Sequence, residues 1–485
     1  MKALILAAGD GGRLENLTND KPKPLIQLLG LSLIERAILT AKQAGIREFV
    51  IVVGYLADKI KANLKNGNRL GVKISYVENE EWQRENGVSV LKARDLFAEN
   101  FVLLMSDHVF DVRILKELVN YNAGSSVVLA IDRGEPLPGD TKVLEKDGKI
   151  FSIGKGIKES NCRDTGIFLC SPKIFSYLEE EVKEGRTELT HGIVKAAKNK
   201  DAEVYDITQI NPYIPSMRKE IKAFWMDIDT KEDLIKAKKD LIENACKGRN
   251  DLLATFVNKP IENFIVKHIA NKKITPNQIT LIINIIAYAS TVLFLNGYLL
   301  YASLITFVVS FMDGVDGKLS RVKISSSPFG KLEHAFDFLF ENSWYIALAI
   351  YVSKTYDVSA IILCTLIILF DGFSHYSQQV FEDAKRGLPL VDYGKMERVF
   401  RKFDGRKNSY IIFILVGVLF NVPFYSLIAI IFWSFVSAGF YCLRTIKHIY
   451  ATDKQFSASP QFSPSHENEK SLIEHHRLED DYGKV

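Results

Sequence analysis

The sequence predicts an α/β domain at residues 1–245, followed by an all-α domain of six transmembrane helices. The first prediction rests on short Val-, Ile- and Leu-rich runs that alternate with amphipathic helical segments. This alternation is typical of a mainly parallel, Rossmann-like sheet covered by helices on both faces. The second rests on apolar runs that, after about residue 275, reach the roughly 20 residues needed to span a bilayer.

Four short runs near the start of the chain have the length and composition of buried strands. They are ALILAA, FVIVVG, VKISYV and FVLLMS. Between the first two, SLIERAILTAKQAG repeats apolar residues with helical spacing. Strands and helices therefore alternate from the beginning of the first domain.

The second half of the chain contains the apolar runs and their polar connections. A linker with an interfacial helix is predicted at 246–275, a membrane domain at 276–446, and a polar, disordered tail at 447–485, which has too few apolar residues to form a core. The six predicted spans are 278–296, 298–317, 334–353, 357–376, 409–427 and 426–444.

Lysine and arginine are distributed unevenly between the connections of the membrane domain. The 377–408 connection holds eight of them and the 318–331 connection holds four, whereas the turns on the opposite side hold only Lys354. Since basic loops stay on the cytoplasmic side, we expect a multi-pass membrane protein with both termini in the cytoplasm.

The overall charge and the cysteines exclude some classes of function. A formal net charge of +4 is small for 485 residues, so no nucleic-acid partner is expected. The five cysteines are scattered without the spacing of metal ligands or disulfides, which fits a reducing compartment.

A glycine-rich segment, LILAAGDGGRLENLTNDKPKPLIQL, includes and follows the first predicted strand. Gly9, Gly11 and Gly12 allow backbone N–H groups to approach a chain of phosphates closely. Arg13 and Lys23 add fixed positive charge for a departing pyrophosphate. A glycine loop alone is a weak indication, so the interpretation depends on the residues that accompany it.

The glycine-rich segment resembles the signature of the nucleotidyltransferase family, L-A-A-G-x-G-x-R-L followed by K-P-K-P-L. Asp107 ends an apolar strand in VLLMSDHVF, and Asp227 and Asp229 lie in FWMDIDTKEDL, where this family keeps metal-binding carboxylates. Taken alone, Asp107 also fits a turn at a strand end, and Thr230 with Asp233 also fits a plain capping box.

This resemblance implies a reaction and a set of residues for it. A phosphate monoester would attack the α-phosphorus of a nucleoside triphosphate, and positioning and charge neutralisation would dominate catalysis. The implied residues are catalytic Arg13 and Lys23, nucleotide-binding Ala7, Ala8, Gly9, Gly11, Asn86 and Ser89, and the Mg²⁺ ligands Asp107, Asp227 and Asp229. Weaker candidates, for the acceptor pocket, are Lys155, Lys158 and Asp164.

A second polar segment, DGVDGKLSRVKISSSPFGKLEHAFD, lies between two strongly apolar runs. Asp313 and Asp316 are one helical turn apart, and Glu333 and Asp337 are spaced four residues apart. A charge near the bilayer core costs roughly 2.5 kcal/mol or more, so these groups indicate a function rather than a solvated loop. Clustered carboxylates bind hard cations such as Mg²⁺, which commonly carry phosphate oxygens as well.

This second segment resembles the signature of the CDP-alcohol phosphotransferase family, D-x2-D-G-x2-A-R-x8-G-x3-D-x3-D, and ITPNQIT resembles the start of the family's first span. The resemblance implies a two-metal site at the cytoplasmic face that passes a phosphoalcohol to an acceptor hydroxyl. The implied residues are nucleotide-binding Asn277, Thr280, Gly317, Ser320 and Arg321 and the metal ligands Asp313, Asp316, Glu333 and Asp337, with Asp337 alternatively the general base.

The match to the second signature is incomplete. A Ser replaces the family's Ala at position 320, and strict spacing from Gly330 would put the last two Asp residues at positions 334 and 338. Glu333 and Asp337 stand one residue earlier with the correct mutual spacing. We interpret this as a one-residue shortening before the helix, with His334 and Glu341 as further candidates for the site.

The two halves complement each other chemically. The second domain consumes a CDP-alcohol and the first domain can make one, so this coupling selects CTP. The fusion resembles bifunctional enzymes that form CDP-inositol from CTP and inositol 1-phosphate, then join its phosphoinositol to a second inositol phosphate. The membrane family further implies a lipid bilayer and a homodimer as partners.

Other functions are left open by the sequence. The first alternative is the same chemistry with another activated alcohol or a lipid acceptor. The second is a transporter with a nucleotide-binding regulatory domain, although the sequence lacks the internal repeats and Gly/Pro-broken spans that transporters usually show. A degenerate binding module is a third, disfavoured by the joint presence of Arg13, Lys23, Asp107 and Asp227.

Overall fold

The computed structural model describes residues 1–11, 21–248, 251–325, 328–356, 359–385 and 387–458. All strands of this described part belong to the first domain. In chain order they are β1 (Lys2–Ala7), β2 (Gln27–Leu28), β3 (Leu31–Ser32), β4 (Glu48–Val53), β5 (Lys73–Glu78), β6 (Phe101–Met105), β7 (His108–Phe110), β8 (Val127–Asp132), β9 (Lys142–Lys146), β10 (Lys149–Gly154), β11 (Cys162–Cys170), β12 (Ala202–Asp206), β13 (Tyr213–Ile214), β14 (Lys219–Glu220) and β15 (Trp225–Asp227).

The main sheet has nine strands in the order β5-β4-β1-β6-β11-β8-β12-β10-β9. Strands β5, β4, β1 and β6 are parallel, as the alternating pattern predicts. The prediction of a mainly parallel sheet is wrong for the other half, where β11 runs antiparallel to both β6 and β8 and only β12 pairs parallel with β8. Part of the reason is local, because Asp147 and Gly148 have φ angles of 50° and 75° and close a hairpin between β9 and β10.

Helices cover both faces of this sheet, and β1 is buried on both. Ile5 and Ile51 belong to the hydrophobic cluster on one face, and Leu4 and Val52 to the cluster on the other. Two helices begin with capping boxes, at Ser32 and Thr230. The helices are α1 (Leu33–Gln43), α2 (Ala57–Leu64), α3 (Asn86–Lys92), α4 (Val112–Val119), α5 (Lys173–Lys183), α6 (Leu189–Lys198) and α7 (Lys231–Asn244).

The second domain is helical throughout its described residues. Four of its helices are long and apolar enough to cross a membrane, Pro276–Leu295, Leu299–Val322, Ala360–Ala384 and Pro423–Ala451, and the apolar helix Lys407–Leu419 is shorter. The full set is α8 (Lys259–Ile269), α9 (Pro276–Leu295), α10 (Leu299–Val322), α11 (Pro328–Lys331), α12 (Glu333–Tyr356), α13 (Ala360–Ala384), α14 (Leu390–Tyr393), α15 (Lys395–Phe400), α16 (Lys407–Leu419) and α17 (Pro423–Ala458).

The last two predicted spans, 409–427 and 426–444, are expected to meet at Asn421-Val-Pro423. The structure ends α16 before Asn421, which has a left-handed φ of 58°, and begins α17 at Pro423. A proline is favoured in the first turn of a helix, where its missing N–H leaves no hydrogen bond unmade. The two helices are therefore separated at the predicted Asn-Val-Pro sequence, and only the bounds drawn at 426–427 lie several residues too late.

The predicted disordered tail at 447–485 also begins too early, since α17 continues to Ala458. His448 Nε2 lies 2.7 Å from Glu397 Oε1, and the Thr445 hydroxyl donates to the carbonyl oxygen of Ser377 at 3.0 Å. These polar contacts hold the helix beyond the end of its apolar run. The remainder of the predicted tail lies outside the described residues.

The two domains share one hydrophobic cluster. Ile26, Leu29 and Val109 of the α/β domain are buried in the same cluster as Ile279 and Val322 of the helical domain. Burial of apolar surface is the main favourable contribution to association, so the domains are expected to hold each other in a fixed arrangement.

Hydrogen bonds surround this shared cluster. Arg321 Nε, near the end of α10, donates to the carbonyl oxygen of Ala245 at 2.8 Å. The Tyr213 hydroxyl donates to Asp392 Oδ2 at 2.9 Å. The backbone N–H of Gly30, in the turn between β2 and β3, donates to the Asn271 side chain at 3.0 Å. The contacts thus come from several parts of the α/β domain.

Gly30→Ala is expected to destabilise the protein at this interface. Gly30 has a φ of 84°, and an added Cβ would fall 2.2 Å from the carbonyl oxygen of Ala270. Backbone strain and displacement of the turn together should lower the free energy of unfolding by about 2–4 kcal/mol. The thermal unfolding midpoint of the full chain in detergent measures the effect.

Gly45→Ala is the matched control, because Gly45 has a φ of 98° and no atom within 4 Å of an added Cβ. This variant carries the backbone strain without the contact, so we expect a loss of about 1 kcal/mol. Equal losses in the two variants would mean that the Gly30 contact with the helical domain contributes nothing to stability.

Candidate active sites

The first candidate site lies at the junction of β6, β7 and β15. Asp107 occupies the turn between β6 and β7, and His108 is the first residue of β7. Strand β15 pairs antiparallel with β7 and sets Asp227 opposite His108. This register brings together the carboxylates of two segments that are distant in the sequence.

Lys23 lies at the centre of the predicted carboxylates. Its Nζ is 2.6 Å from Asp107 Oδ2, 2.6 Å from Asp229 Oδ1 and 3.8 Å from Asp227 Oδ1. Burial alone would lower the pKa of Lys23, but Asp107 and Asp227 raise it well above its usual value. Burial likewise opposes ionisation of Asp107, yet Lys23 and His108 hold the pKa of that carboxyl below its usual value. The lysine is therefore a fixed cation among ionised carboxylates.

His108 is a member of the cluster that sequence reasoning missed. Its Nε2 lies 3.5 Å from Asp227 Oδ1 and its Nδ1 lies 2.8 Å from the carbonyl oxygen of Thr165. Burial tends to lower the pKa of His108, but Asp227 outweighs this and raises it to about 9. Nearby, burial raises the pKa of Asp164 to about 6. The residue after Asp107 carried no signal by itself, because its role depends on the pairing of β7 with β15.

Asp107, His108 and Asp227 could hold a metal ion. One ligand atom from each lies within 4.8 Å of the others. Asp227 Oδ1 is buried and accepts no hydrogen bond, and its cationic neighbours, His108 Nε2 and Lys23 Nζ, lie 3.5 Å and 3.8 Å away. A buried carboxylate oxygen in that state fits a cation, since carboxylates are preferred ligands of Mg²⁺. A metal ion bound through His108 would require that imidazole to lose its proton. Asp229 belongs to the cluster through Lys23 rather than through this group of three.

The glycine-rich segment lies beside this cluster. Ala7 and Ala8 are buried at the end of β1, and no atom comes within 4 Å of a Cβ added to Gly9. Gly11 has a φ of 70°, and an added Cβ would lie 2.6 Å from Lys23 Cβ. A glycine at this position therefore lets the segment pack against Lys23. Gly12 and Arg13 lie outside the described residues, so the role of Arg13 stays a prediction.

Asn86 and Ser89 are both engaged in internal hydrogen bonds. Asn86 Oδ1 accepts from the backbone N–H of Leu189 at the start of α6, at 2.9 Å. Ser89 Oγ accepts from Asn79 Nδ2 at 3.0 Å and is buried. These bonds position α3 next to the strand ends, and a direct contact of either side chain with a nucleotide stays a prediction.

The second candidate site lies between α9 and α10. The Thr280 hydroxyl donates to Asp316 Oδ2 at 2.5 Å, and the backbone N–H of Gly317 donates to Asp316 Oδ1 at 2.6 Å. Asp316 is buried, with 3% of its surface exposed. The structure thus brings three predicted residues of the two separate motifs into direct contact.

Lys407, the first residue of α16, enters this second site. Its Nζ lies 2.9 Å from Asp313 Oδ2 and 3.2 Å from Glu341 Oε1, and it is 5.2 Å from the centre of the Phe340 ring. Asp337 is a further electrostatic neighbour of the ammonium group. Sequence reasoning assigned Lys407 to the basic connection, and the only signal for a site role was its position at the start of an apolar run.

The other predicted residues of this site have structural contacts or are not described. Arg321 Nε binds the Ala245 carbonyl, and the Ser320 hydroxyl donates to the Ser325 carbonyl at the end of α10. The side chain of Glu333, the first residue of α12, lies outside the described part. Its role as a ligand therefore stays a prediction.

The fold and the two sites define a transferase with a nucleotide-activating α/β domain and a second, helical catalytic domain. The chain belongs to the nucleotidyl transferase family, whose model matches residues 2–244, and residues 273–440 match the CDP-alcohol phosphatidyltransferase family. The protein is thus an enzyme that joins a nucleotidyltransferase to a CDP-alcohol phosphotransferase, as the two signatures predict.

Two relatives align with most of this chain, and a solved structure aligns with about half of it. The bifunctional IPC transferase and DIPP synthase of Aquifex aeolicus (strain VF5) is 29% identical over 433 residues, which cover 86% of this chain and 92% of that protein. The protein of the same name from Archaeoglobus fulgidus is 29% identical over 448 residues, 90% of this chain and 81% of that protein. The solved inositol-1-phosphate CTP transferase from T. maritima is 27% identical, with a TM-score of 0.42, and the match covers 49% of this chain and 96% of that one.

Proposed function

We propose that this protein activates inositol 1-phosphate with CTP and then transfers the activated phosphoinositol. In the first reaction, the phosphate of inositol 1-phosphate attacks the α-phosphorus of CTP, and CDP-inositol and pyrophosphate form. In the second, a hydroxyl of another inositol phosphate attacks the inositol-bearing phosphorus of CDP-inositol, and CMP leaves. The supporting observation is that one chain carries two separate carboxylate clusters. The first lies on the domain that can make a CDP-alcohol, and the second lies on the domain that consumes it.

Inositol is favoured over other alcohols by the relatives. Two proteins that align over most of this chain share the name bifunctional IPC transferase and DIPP synthase. At Glu333 and His334 the sequence departs from the signature of the CDP-alcohol family. The experiment must therefore distinguish inositol phosphates from another polar alcohol or a lipid acceptor.

In the α/β domain, Lys23 would stabilise the negative charge that develops on the phosphates. Its ammonium is already oriented by Asp107 and Asp229, so it needs no rearrangement at the moment of reaction. The open space at Gly9 would admit the phosphate chain close to the backbone. Mg²⁺ held by Asp107 and Asp227 would supply further charge neutralisation at the α-phosphate.

In the helical domain, the carboxylates of α10 and α12 would surround the diphosphate of the CDP-alcohol. Asp316 is oriented by Thr280 and by the Gly317 N–H, which fixes its two oxygens. Asp337 would accept the proton of the attacking hydroxyl. Mg²⁺ held by Asp313, Asp316, Glu333 and Asp337 would neutralise the diphosphate charge.

Glu333→Gln is expected to reduce phosphoalcohol transfer at least tenfold, about 1.4 kcal/mol of transition-state stabilisation. The substitution keeps the shape of the side chain but removes an anionic ligand. His334→Gln should change the apparent affinity for the acceptor more than the Mg²⁺ dependence, because neutral imidazole suits Mg²⁺ poorly. Initial rates of CMP release against Mg²⁺ and acceptor concentration separate these effects.

The opposite result would restore the strict family spacing. If Glu333→Gln keeps full activity while His334→Gln shifts the Mg²⁺ requirement, then position 334 provides the ligand and the proposed one-residue shortening is wrong.

We further propose that six helices cross the bilayer, with both sites on the cytoplasmic side. The proposed spans are α9, α10, α12, α13, α16 and α17, and the excess of Lys and Arg in two connections supports their orientation. We also propose a homodimer in the membrane, because members of the CDP-alcohol family are commonly dimeric. Chemical cross-linking in native membranes tests the dimer.

Cysteine labelling is expected to report this orientation. A membrane-impermeant maleimide should label Tyr356→Cys on intact cells and Lys395→Cys only after permeabilisation. Natural thiols should contribute little, since four of the five cysteines are buried and Cys442 is half-buried. Labelling of position 395 alone on intact cells would place the carboxylates away from cytoplasmic CTP.

The decisive test of the function uses purified full-length protein, CTP, Mg²⁺ and a panel of alcohol phosphates. We expect pyrophosphate release with inositol 1-phosphate, followed by CMP release when an inositol phosphate is the acceptor. Preference for another alcohol phosphate, or CMP release only with a lipid acceptor, would identify the alternative substrate. No pyrophosphate release with any phosphate would contradict the proposed activity.

A further inference from the structure

The second site contains a built-in cation, Lys407, that the family signature does not include. Its ammonium group bridges Asp313 on α10 and Glu341 on α12, at 2.9 Å and 3.2 Å. Its side chain is only 11% exposed, so water screens these contacts weakly. Three helices therefore converge on a single ammonium group.

The positive charge of Lys407 offsets part of the negative charge of the carboxylates around it. Asp313 and Glu341 contact the ammonium group, Asp337 is a further electrostatic neighbour of it, and Asp316 lies buried on the same helix as Asp313. Negative charges that share such a partly buried site repel each other. The ammonium group offsets part of this repulsion. It also repels any divalent cation that approaches the same carboxylates.

Asp316 and Asp313 contact different kinds of donor, which fits different roles for the two carboxylates in binding a cation. Asp316 is bound by neutral donors, the Thr280 hydroxyl and the Gly317 N–H, which orient its oxygens without neutralising them. Asp313 is bound by the charged Lys407. Lys407 therefore acts on one side of the cluster and leaves the charge of Asp316 for a cation.

We propose that Lys407 is a positioning residue of the phosphotransfer site that holds Asp313 and Glu341 together and lowers the intrinsic affinity of the site for divalent cations. This inference rests on the proposed function, in which the diphosphate of a CDP-alcohol enters the same site. Its negative charges would offset the ammonium, so cations bind tightly only together with the nucleotide.

Binding of Mn²⁺ to full-length protein in nanodiscs, measured by electron paramagnetic resonance without nucleotide, tests this inference. An Asp227→Asn background weakens the first site so that the second dominates, and Asp316→Asn in that background identifies the second-site signal. In this background, Lys407→Met should tighten Mn²⁺ binding at least tenfold, while transfer from supplied CDP-alcohol falls at least tenfold. If Lys407 had a purely structural role, Lys407→Met would weaken Mn²⁺ binding as well as transfer.

Matched variants separate charge from shape. Lys407→Arg keeps the positive charge and should keep Mn²⁺ affinity within about threefold of the parent. Lys402→Met removes an exposed lysine from the same connection and should change neither measurement. Lys407→Gln serves in place of Lys407→Met if the latter fails to unfold cooperatively on heating.

The outcomes distinguish this inference from the proposed function. If the parent binds Mn²⁺ at the second site and Lys407→Met binds it equally or more weakly, the role of Lys407 is overturned while the metal site stands. If neither protein shows Mn²⁺ binding that Asp316→Asn removes, both the role of Lys407 and the proposed metal site are overturned.

Discussion

Lys23→Met is expected to lower pyrophosphate release from CTP by about 10²–10³-fold, the loss seen when one preorganised charge-stabilising group is removed from an active site. Lys23 Nζ contacts Asp107 and Asp229 at 2.6 Å each, so the substitution also leaves carboxylates facing each other without their cation. Initial rates of pyrophosphate release at saturating CTP and alcohol phosphate measure the loss.

Lys21→Met is the control for this experiment, because Lys21 belongs to the same Lys-Pro-Lys-Pro sequence but is exposed. We expect Lys21→Met to change the rate by less than about threefold, as is usual for an exposed side chain outside a site. Comparable losses in both variants would mean that the lysines act through general attraction of the nucleotide rather than through the contacts of Lys23.

Asp316→Asn should abolish transfer from supplied CDP-alcohol and leave pyrophosphate release from CTP unchanged. The amide keeps the shape of the side chain and can still accept from Thr280 at one oxygen, but it loses the charge of a proposed cation ligand. Loss of such a group should cost at least about 10²-fold in rate. CMP release from CDP-inositol and pyrophosphate release from CTP, measured on the same sample, give the two activities.

Asp383→Asn, an exposed position at the end of α13, is the matched control and should leave both activities intact. If Asp316→Asn removes pyrophosphate release as well while the protein stays folded, the two sites do not work independently. That result would be explained by the shared hydrophobic cluster between the domains rather than by chemistry at Asp316.

The motifs predicted most of what local sequence can encode. Asp107, Asp227 and Lys23 come together as expected, and Thr280 and Asp316 of two different motifs meet. The residues meet because the motifs lie near strand ends and helix ends, where position in the fold follows from the local pattern. Their roles as ligands and catalytic groups stay predictions.

The missed residues depend on contacts between distant segments. His108 reaches Asp227 only through the pairing of β7 with β15, and Lys407 reaches Asp313 only through the packing of α16 against α10. Neither partner is visible from a single stretch of sequence. The antiparallel pairings of the sheet were missed for the same reason, although the Asp147-Gly148 turn could have been recognised as a hairpin signal.

The shared hydrophobic cluster between the domains also has a consequence for biosynthesis. The α/β domain leaves the ribosome first, and it can fold before α9 and α10 have been synthesised. At roughly 5–20 residues per second, several seconds pass before these helices enter the membrane. During that interval Ile26, Leu29 and Val109 lack their partners from the helical domain, and we expect them to be more exposed. We therefore expect the α/β domain made without the helical domain to aggregate more readily than the full chain.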